Sequence, residues 1–570
     1  MFPAVPAKRY APFVAVILAQ LVLVAVAPSK GKVETQPSFA GTSTSALGGT
    51  PGQPSGSLPR TDGSGGTTGG TSGGGTTGYS PVTGSTGGTT VTGSTGGTPV
   101  SGGTTGAVVG EDRSRCAGDR QFTTFPQSPR CVPHTGNPGA TYPGVTGKTI
   151  TLVYFREKDN PVVKGLLQSI GLYSDPADQQ AFLSAMEDFI NTHYELYGRK
   201  VKMEFWQSPC ESAPPDDTCM RNDAKALVSQ RNPFAVLYDN NTNAPSFFDQ
   251  LSKLHVINWG GWHFEDSFDT AHRPYHYDNL MGGDKQAEIT GEYWCKKLAG
   301  KKARFAGSAD LQAKVRKVAV FYPQTEVNTE PAQHLAKIMK SCGTEVTEVP
   351  YSPDTATASS QATSQVAQAK ASGATSVMYF SDPIAPAFGT KAMTSQDWFP
   401  EHVLVGSGLL DYDVLARLYD AQQWKHAFGP SDTVVYRPLG QQEASLTWRA
   451  AGRQGNAYSS AELQWGYWAV IAATMQMAGP TLNPGTFEQA LLKGLCDTAP
   501  WTTTHDPHLT WIHFGPGDYT SSSDQKEAYW DANAISPIDG KQGAYVALNG
   551  GRRYRPGEWT PGEPVLPAGI

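Results

Sequence analysis

Charge is scarce in this chain: 17% of its 570 residues are Asp, Glu, Lys or Arg, and the formal net charge is -6 at pH 7. No block of Lys or Arg interrupts that pattern, so the electrostatic footprint of a nucleic-acid partner is missing and none is expected. None of the seven cysteines has CxxC spacing, which excludes zinc ribbons and thioredoxin-like redox sites. Large apolar side chains are nearly absent from about Ser38 to Gly110, a stretch of Gly, Thr, Ser, Pro and Val in which Val82–Val100 reads VTGSTGGTTVTGSTGGTPV. Such a segment cannot bury enough surface to offset the entropy of ordering, so it is expected to be disordered. As a flexible coil of about 70 residues it spans roughly 45 Å and can act as a tether.

Catalytic and metal motifs are missing in any usable context. Gly70-Thr71-Ser72-Gly73-Gly74 fits GxSxG on paper but lies in that tract, where no strand and helix can form a nucleophile elbow. His272 and His276 have the i, i+4 spacing of a helical metal pair, but Pro274 between them opposes the helix and no HExxH accompanies it. His255, His263, His505, His508 and His513 read as hydrogen-bonding or solvent-facing residues. Gly515–Asp524 lacks the spacing and terminal Glu of an EF-hand. The carboxylate pairs Asp216-Asp217 and Glu265-Asp266 are adjacent in sequence and would point apart in an extended segment, unlike a glycosidase pair. No catalytic residue, metal ligand or cofactor is therefore assigned, and the chain is not read as an enzyme.

What is present begins with an export segment. Lys8 and Arg9 precede an apolar run from Ala11 to Ala27 that ends in Ala25-Val26-Ala27 followed by Pro28. At about 17 residues the run sits at the lower edge of a membrane span, so a cleaved signal and a retained anchor both fit. The chain is expected to be extracytoplasmic, either secreted or held at the cell envelope by residues 11–27. Export permits disulfides. Cys116 with Cys131 and Cys210 with Cys219 would each close a short loop rich in Pro, Ser and Asp, and Cys295 and Cys342 end two predicted helices flanking one strand. Cys496 is left over.

From Thr149 the pattern changes to strand-helix alternation. Thr149–Phe155, Val201–Gln207, Phe234–Asp239 and His255–Gly260 read as strands, with a helix from near Asp178 to Gly198 and another around Asp223–Gln230. The alternation then restarts. A helix at Asp284–Ala299, with Asp284 as N-cap, leads to strands at Lys317–Pro323, Thr344–Tyr351, Ser376–Asp382 and His402–Gly408. A late helix, Ser459–Ala478, opens with a capping-box pair, Ser459 and Glu462. Parallel sheets are the consequence. The expected organisation is a signal or anchor at 1–30, a disordered linker at 31–110, a disulfide-containing lead-in at 111–147, a first lobe at 148–283 and a second lobe at 284–435. Residues 436–570 would return to the first lobe and add a C-terminal extension.

Three stretches carry a resemblance: CVPHTGNPGATYPGVTGKTITLVYF at Cys131–Phe155, the strand-helix order from 149 to about 435, and the tail Phe514–Trp559. Over roughly three quarters of its length the chain resembles the type I periplasmic binding superfamily, in particular Leu/Ile/Val-binding-protein-like substrate-binding proteins of ABC transporters. The resemblance implies an α/β fold of two Rossmann-like lobes with parallel sheets, an interlobe cleft, and ligand groups on loops after the strands. Those loops offer Tyr154 and Arg156; Asn240, Asn241 and Thr242; Trp259, Gly260 and Trp262; Tyr322 and Gln324; Ser381 and Asp382; and Ser407 and Asp411. Amino-acid-binding members use Ser and Thr for the ligand carboxylate and a second-lobe Glu for its ammonium. Here amides and indoles stand in the first-lobe loops and Gly406-Ser407-Gly408 in the second, with Asp382 or Asp411 as substitutes for the Glu. A larger or less charged ligand is expected; stacking on Trp259 or Trp262 and ordinary packing of those indoles are both open.

The function expected is a monomeric solute receptor that captures a small-molecule ligand by lobe closure and delivers it to the membrane permease of an ABC importer. The alternatives are an envelope ligand sensor without transport and a secreted hydrolase with scattered catalytic residues.

Overall fold

The computed structural model describes residues 118–567 apart from 125–126, 133, 135, 212–215, 239–243, 262–263, 279, 326, 381, 407–408, 496–506, 511–513 and 516–517. The apolar run Ala11–Ala27, the tract Ser38–Gly110, Cys116 and Cys496 lie outside them.

Alternating and continuous apolar runs give two sheets. The first has five parallel strands in the order β2-β1-β3-β4-β5. These are β1 (Thr149–Lys158), β2 (Lys200–Glu211), β3 (Ala235–Tyr238), β4 (Ile257–Trp259) and β5 (His276–Tyr277). β3 and β4 are buried along their whole length, as expected of a parallel strand covered on both faces. Helix Pro176–His193 packs on one face through Phe182, Met186, Phe189 and Ile190, and helix Ala461–Met477 joins it there. Helices Asp217–Arg231 and Pro245–Lys253 cover the other face.

The second sheet opens with β6 (Val318–Pro323), β7 (Val346–Tyr351), β8 (Ser376–Tyr379), β9 (Glu401–Val403) and β10 (Ala427–Ser431), all parallel, in the order β7-β6-β8-β9-β10. Three antiparallel strands from the tail extend it: β11 (Gln525–Ile535), β12 (Gln542–Ala547) and β13 (Arg553–Tyr554). The tail expected to return to the first lobe is therefore divided. Helices Glu443–Ala450 and Ala461–Met477 enter the first core, while the last strands complete the second sheet. Charged residues masked those strands: Lys526 donates to Ser431 Oγ at 2.6 Å, and Glu527 meets Lys297 at 3.2 Å and Tyr293 at 2.9 Å, all buried inside the lobe.

The fold is α/β with two lobes, as expected. The chain crosses between them three times: after β5, after β10, and ahead of β11. The crossings pair with each other, Asp278 N donating to Tyr519 O at 3.1 Å and Val435 N to Pro507 O at 2.7 Å.

Two helix starts differ from expectation. The helix at 283 is capped by Gly282, and Asp284 instead accepts the amide of Asp266 at 3.1 Å. The Ser459/Glu462 capping box does not form; the helix starts at Ala461 and Glu462 accepts the Ala444 amide at 2.8 Å. Disulfides join Cys210 to Cys219 and Cys295 to Cys342. Cys131 is also disulfide-bonded.

Candidate functional site

Past the end of β1 the sequence Asn160-Pro161 starts a helix unforeseen from the sequence, Pro161–Ile170. The Asn160 side chain accepts the amides of Val162 at 2.9 Å and Val163 at 3.2 Å, and Pro161 has the fixed φ suited to a first turn. No residue of this helix is fully buried. Its apolar face, Leu167 and Ile170, packs on Tyr412, Val414 and Leu415 of the second lobe. A cavity of about 140 Å³ lies between the lobes beneath it.

Most of the cavity wall is apolar. The first lobe contributes Val163, Leu167, Leu237 and Leu463; the second contributes Ile384, Leu409 and Leu415. The charged residues on the wall are engaged with one another. Arg156, buried at the end of β1, donates to Asp159 Oδ1 at 2.6 Å, to Gln179 Oε1 at 2.5 Å and to Ser174 O at 3.3 Å. Asp159 Oδ2 accepts the Tyr173 hydroxyl at 2.6 Å and Lys164 Nζ at 3.3 Å. Burial works to raise the Asp159 carboxyl, but these donors outweigh it and hold the group below the usual carboxylate range. Tyr154 and Gln464 are hydrogen-bonded side chain to side chain on the same wall.

Of the residues proposed from sequence, Tyr154 and Arg156 line this cavity. Asp382 lies beside it but serves the helix Ala385–Ser395: its Oδ1 accepts the amides of Ile384 at 2.7 Å and Ala385 at 3.0 Å, and its Oδ2 the Tyr351 hydroxyl at 2.9 Å. Asp411 is buried in the second lobe and accepts the Thr433 amide at 3.2 Å. Trp259 is fully buried in the first core, stacked on Tyr277 at 5.2 Å with Phe514 at its edge. Gly260 follows it against Tyr238. Tyr322 is buried at the end of β6, and Gln324 is exposed. Neither belongs to the cavity wall, nor do Trp259 and Gly260. Asn240, Asn241, Thr242, Trp262, Ser381 and Ser407 lie outside the described residues. The residues that sequence reasoning missed, Val163, Lys164 and Leu167, come from the helix Pro161–Ile170, whose Asn-Pro start was the available signal.

Among the described residues no group of three His, Cys, Asp or Glu side chains is placed to hold a metal ion. His276 is fully buried, with Nδ1 at 2.6 Å from Asn258 Oδ1 and Nε2 at 3.3 Å from Asp269. Burial pushes the imidazole down and the Asp269 carboxyl up. No described helix is long and apolar enough to cross a membrane.

Compared with known proteins, the chain matches no family model and no curated sequence. Solved structures do match. A branched-chain amino acid ABC transporter structure from Thermus thermophilus with bound valine superposes with a TM-score of 0.51 at 12% identity, over 72% of this chain and 97% of that one. A fatty acid ABC transporter substrate-binding protein from Thermomonospora curvata gives a TM-score of 0.50 at 13% identity, over 73% of this chain and 95% of that one. The fold shared with these structures, two α/β lobes with parallel sheets, is the type I periplasmic binding fold.

Proposed function

We infer that this chain is an extracytoplasmic solute receptor that binds a small, largely apolar organic molecule between its lobes and delivers it to an ABC importer without covalent chemistry. The observation that carries this reading is the cavity between the lobes, walled by leucines and isoleucine from both sides. Burying apolar ligand surface against two walls favours the closed arrangement over the open one, because both walls contribute only when the lobes meet. The volume, about 140 Å³, is close to that of apolar cavities that take up benzene, roughly 150 Å³.

The charged groups support an uncharged or singly charged ligand rather than a free amino acid. Arg156, Asp159 and Lys164 are bound to each other, so a zwitterion would have to break that set to gain partners of its own. Asp382 is occupied by backbone amides and the Tyr351 hydroxyl and Asp411 is buried away from the cavity wall, which leaves neither as a ready substitute for the ammonium-binding glutamate.

A thermal-shift screen of the full chain with benzoate, hexanoate, leucine and glucose tests the reading. A ligand at 100 times its dissociation constant stabilises by about 2.7 kcal/mol, and benzoate or hexanoate is expected to raise the melting temperature. A shift with leucine alone overturns the apolar ligand; no shift with any compound of the apolar class overturns the receptor reading. Uptake of the compound found, measured with and without the gene, separates import from sensing.

A further inference from the structure

A second cavity, of about 180 Å³, shares Leu280, Leu463 and Tyr467 with the first as a common wall. It belongs to the hinge. Every chain crossing contributes to it: Leu280 from the first, Asp432 to Arg437 from the second, Ser521 and Ser522 from the third. Helix Ala461–Met477 closes it with Glu462, Leu463, Tyr467 and Val470.

The wall carries an excess of acid. Asp432, Glu443 and Glu462 share it with one guanidinium, Arg437, and one imidazole, His508. Arg437 is committed to Glu443, Nη1 to Oε1 at 2.6 Å, where Gln127 Nε2 also donates at 3.3 Å. Glu462 accepts the Ala444 amide at 2.8 Å, and burial together with the neighbouring Glu443 carboxyl pushes its own carboxyl well up. His508 Nδ1 lies 2.6 Å from Val435 O. Behind the wall, Lys526 donates to Ser431 and Thr433, and Arg553 donates to Asp524 and to the carbonyls of Asp432 and Thr433.

Three acceptors are left over. Asp432 Oδ2, Gln127 Oε1 and Ser522 Oγ have no hydrogen-bond partner among the described residues, although these residues are only 3%, 4% and 5% exposed. Buried polar atoms without partners are costly and uncommon, and a missing ligand is one reason to find them together. The remaining wall joins the apolar and aromatic Leu280, Val434, Tyr436, Leu463 and Val470 to the polar Thr433, Gln442, Thr510 and Ser521.

We propose that this hinge cavity binds a small organic cation, an ammonium group on an apolar or aromatic body, as a site separate from the interlobe cleft. An ammonium brings donors for the three open acceptors and a positive charge beside Asp432, whose carboxyl is pushed well up by burial and the nearby Asp411. An anion would face three acids, and a plain hydrocarbon would leave the acceptors unmet. Since the wall is built from all three crossings, an occupant touches the segments that carry lobe motion and shifts the balance between open and closed forms by its preference for one of them.

Phenethylamine, phenethyl alcohol and phenylacetate, titrated separately into the full chain by isothermal calorimetry, test this. The amine is expected to bind at one site, and the alcohol and the acid at least about tenfold more weakly, as befits a charge-assisted contact. Asp432→Asn and Glu462→Gln should each weaken the amine by about tenfold or more, while Ile384→Trp, which fills the cleft, should retain amine binding, altered only as far as the cleft and hinge are coupled through lobe closure. Equal binding of amine and alcohol, no binding of the amine, or full affinity in both acid variants overturns the proposal. Loss of amine binding in Ile384→Trp would place the amine in the cleft and overturn it as well. The ranking of the three probes on the unaltered chain decides the matter even where a variant does not fold.

Discussion

Arg316 and Glu401 face each other with no solvent exposure at either side chain, joined by two parallel hydrogen bonds of 2.8 Å, Nε to Oε2 and Nη2 to Oε1. The same carboxylate accepts the Ser376 hydroxyl at 2.8 Å and the Phe305 amide at 3.0 Å, and the guanidinium also reaches Glu563 at 2.7 Å. β9, the strand before the second lobe's cleft loops, is pinned through this pair to the segment that starts β6.

Removing Arg316 leaves the buried Glu401 charge without its counterpart. Arg316→Met is expected to lower unfolding free energy by about 3–5 kcal/mol, whereas Arg316→Met with Glu401→Leu should cost much less. Urea denaturation of the single and double variants checks this; equal losses would show that the pair acts through shape alone.

The Cys295–Cys342 disulfide ties residues 47 apart, and Cys210–Cys219 residues only 9 apart. In the chain-entropy account the longer loop contributes about 4 kcal/mol and the shorter about 3 kcal/mol. Cys295→Ser with Cys342→Ser should therefore lower the melting temperature more than the corresponding change at 210 and 219. Calorimetry of the two double variants orders them.

Ile384 enters the interlobe cavity from the second lobe. Ile384→Trp is expected to cut affinity for the cleft ligand by about a hundredfold, since an added ring takes the volume the ligand would bury. The fold should persist, as judged by circular dichroism. Retained affinity would place the ligand elsewhere.

Burial drives the His402 imidazole down to about 3, its Nε2 lying 3.1 Å from Gln423 Oε1. The unfolded chain takes up this proton as pH falls through about 6.5, while the folded chain does not until about pH 3. The stabilisation is thus complete above about pH 6.5 and is lost as pH falls towards 3. Between roughly pH 6 and pH 4 the unaltered protein should lose about 1 kcal/mol per pH unit more than His402→Gln. Matched urea titrations at several pH values measure the difference, and parallel slopes would remove His402 from the account.

Much of this architecture can be read from residue order. The alternation of Val201, Met203 and Phe205 with charged neighbours places β2, and the apolar runs at Thr149–Phe155 and Lys317–Pro323 place β1 and β6, because burial on one or both faces dictates those patterns. The loops after the strands were legible as positions, and Tyr154 and Arg156 do reach the cavity. Other features depend on partners distant in sequence. The late helix lost its expected capping box because Glu462 is drawn to the Ala444 amide. β11 was hidden because Lys526 and Glu527 look solvent-facing until Thr433 and Tyr293 are seen beside them. Trp259 drew notice as a stacking platform, yet Tyr277 and Phe514 enclose it, and nothing local announces that they would.

The threefold crossing also bears on the order in which the molecule can be made. The first lobe lacks helix Ala461–Met477 from its core, and the second lacks β11, β12 and β13 from its sheet, until the final quarter of the chain has been synthesised. A chain emerging amino end first therefore holds two unfinished halves, each with apolar surface awaiting a late segment, and both are completed within one short interval at the end. Native folding is in this sense a post-synthetic event, and anything that keeps the halves apart and unaggregated during that wait governs the yield.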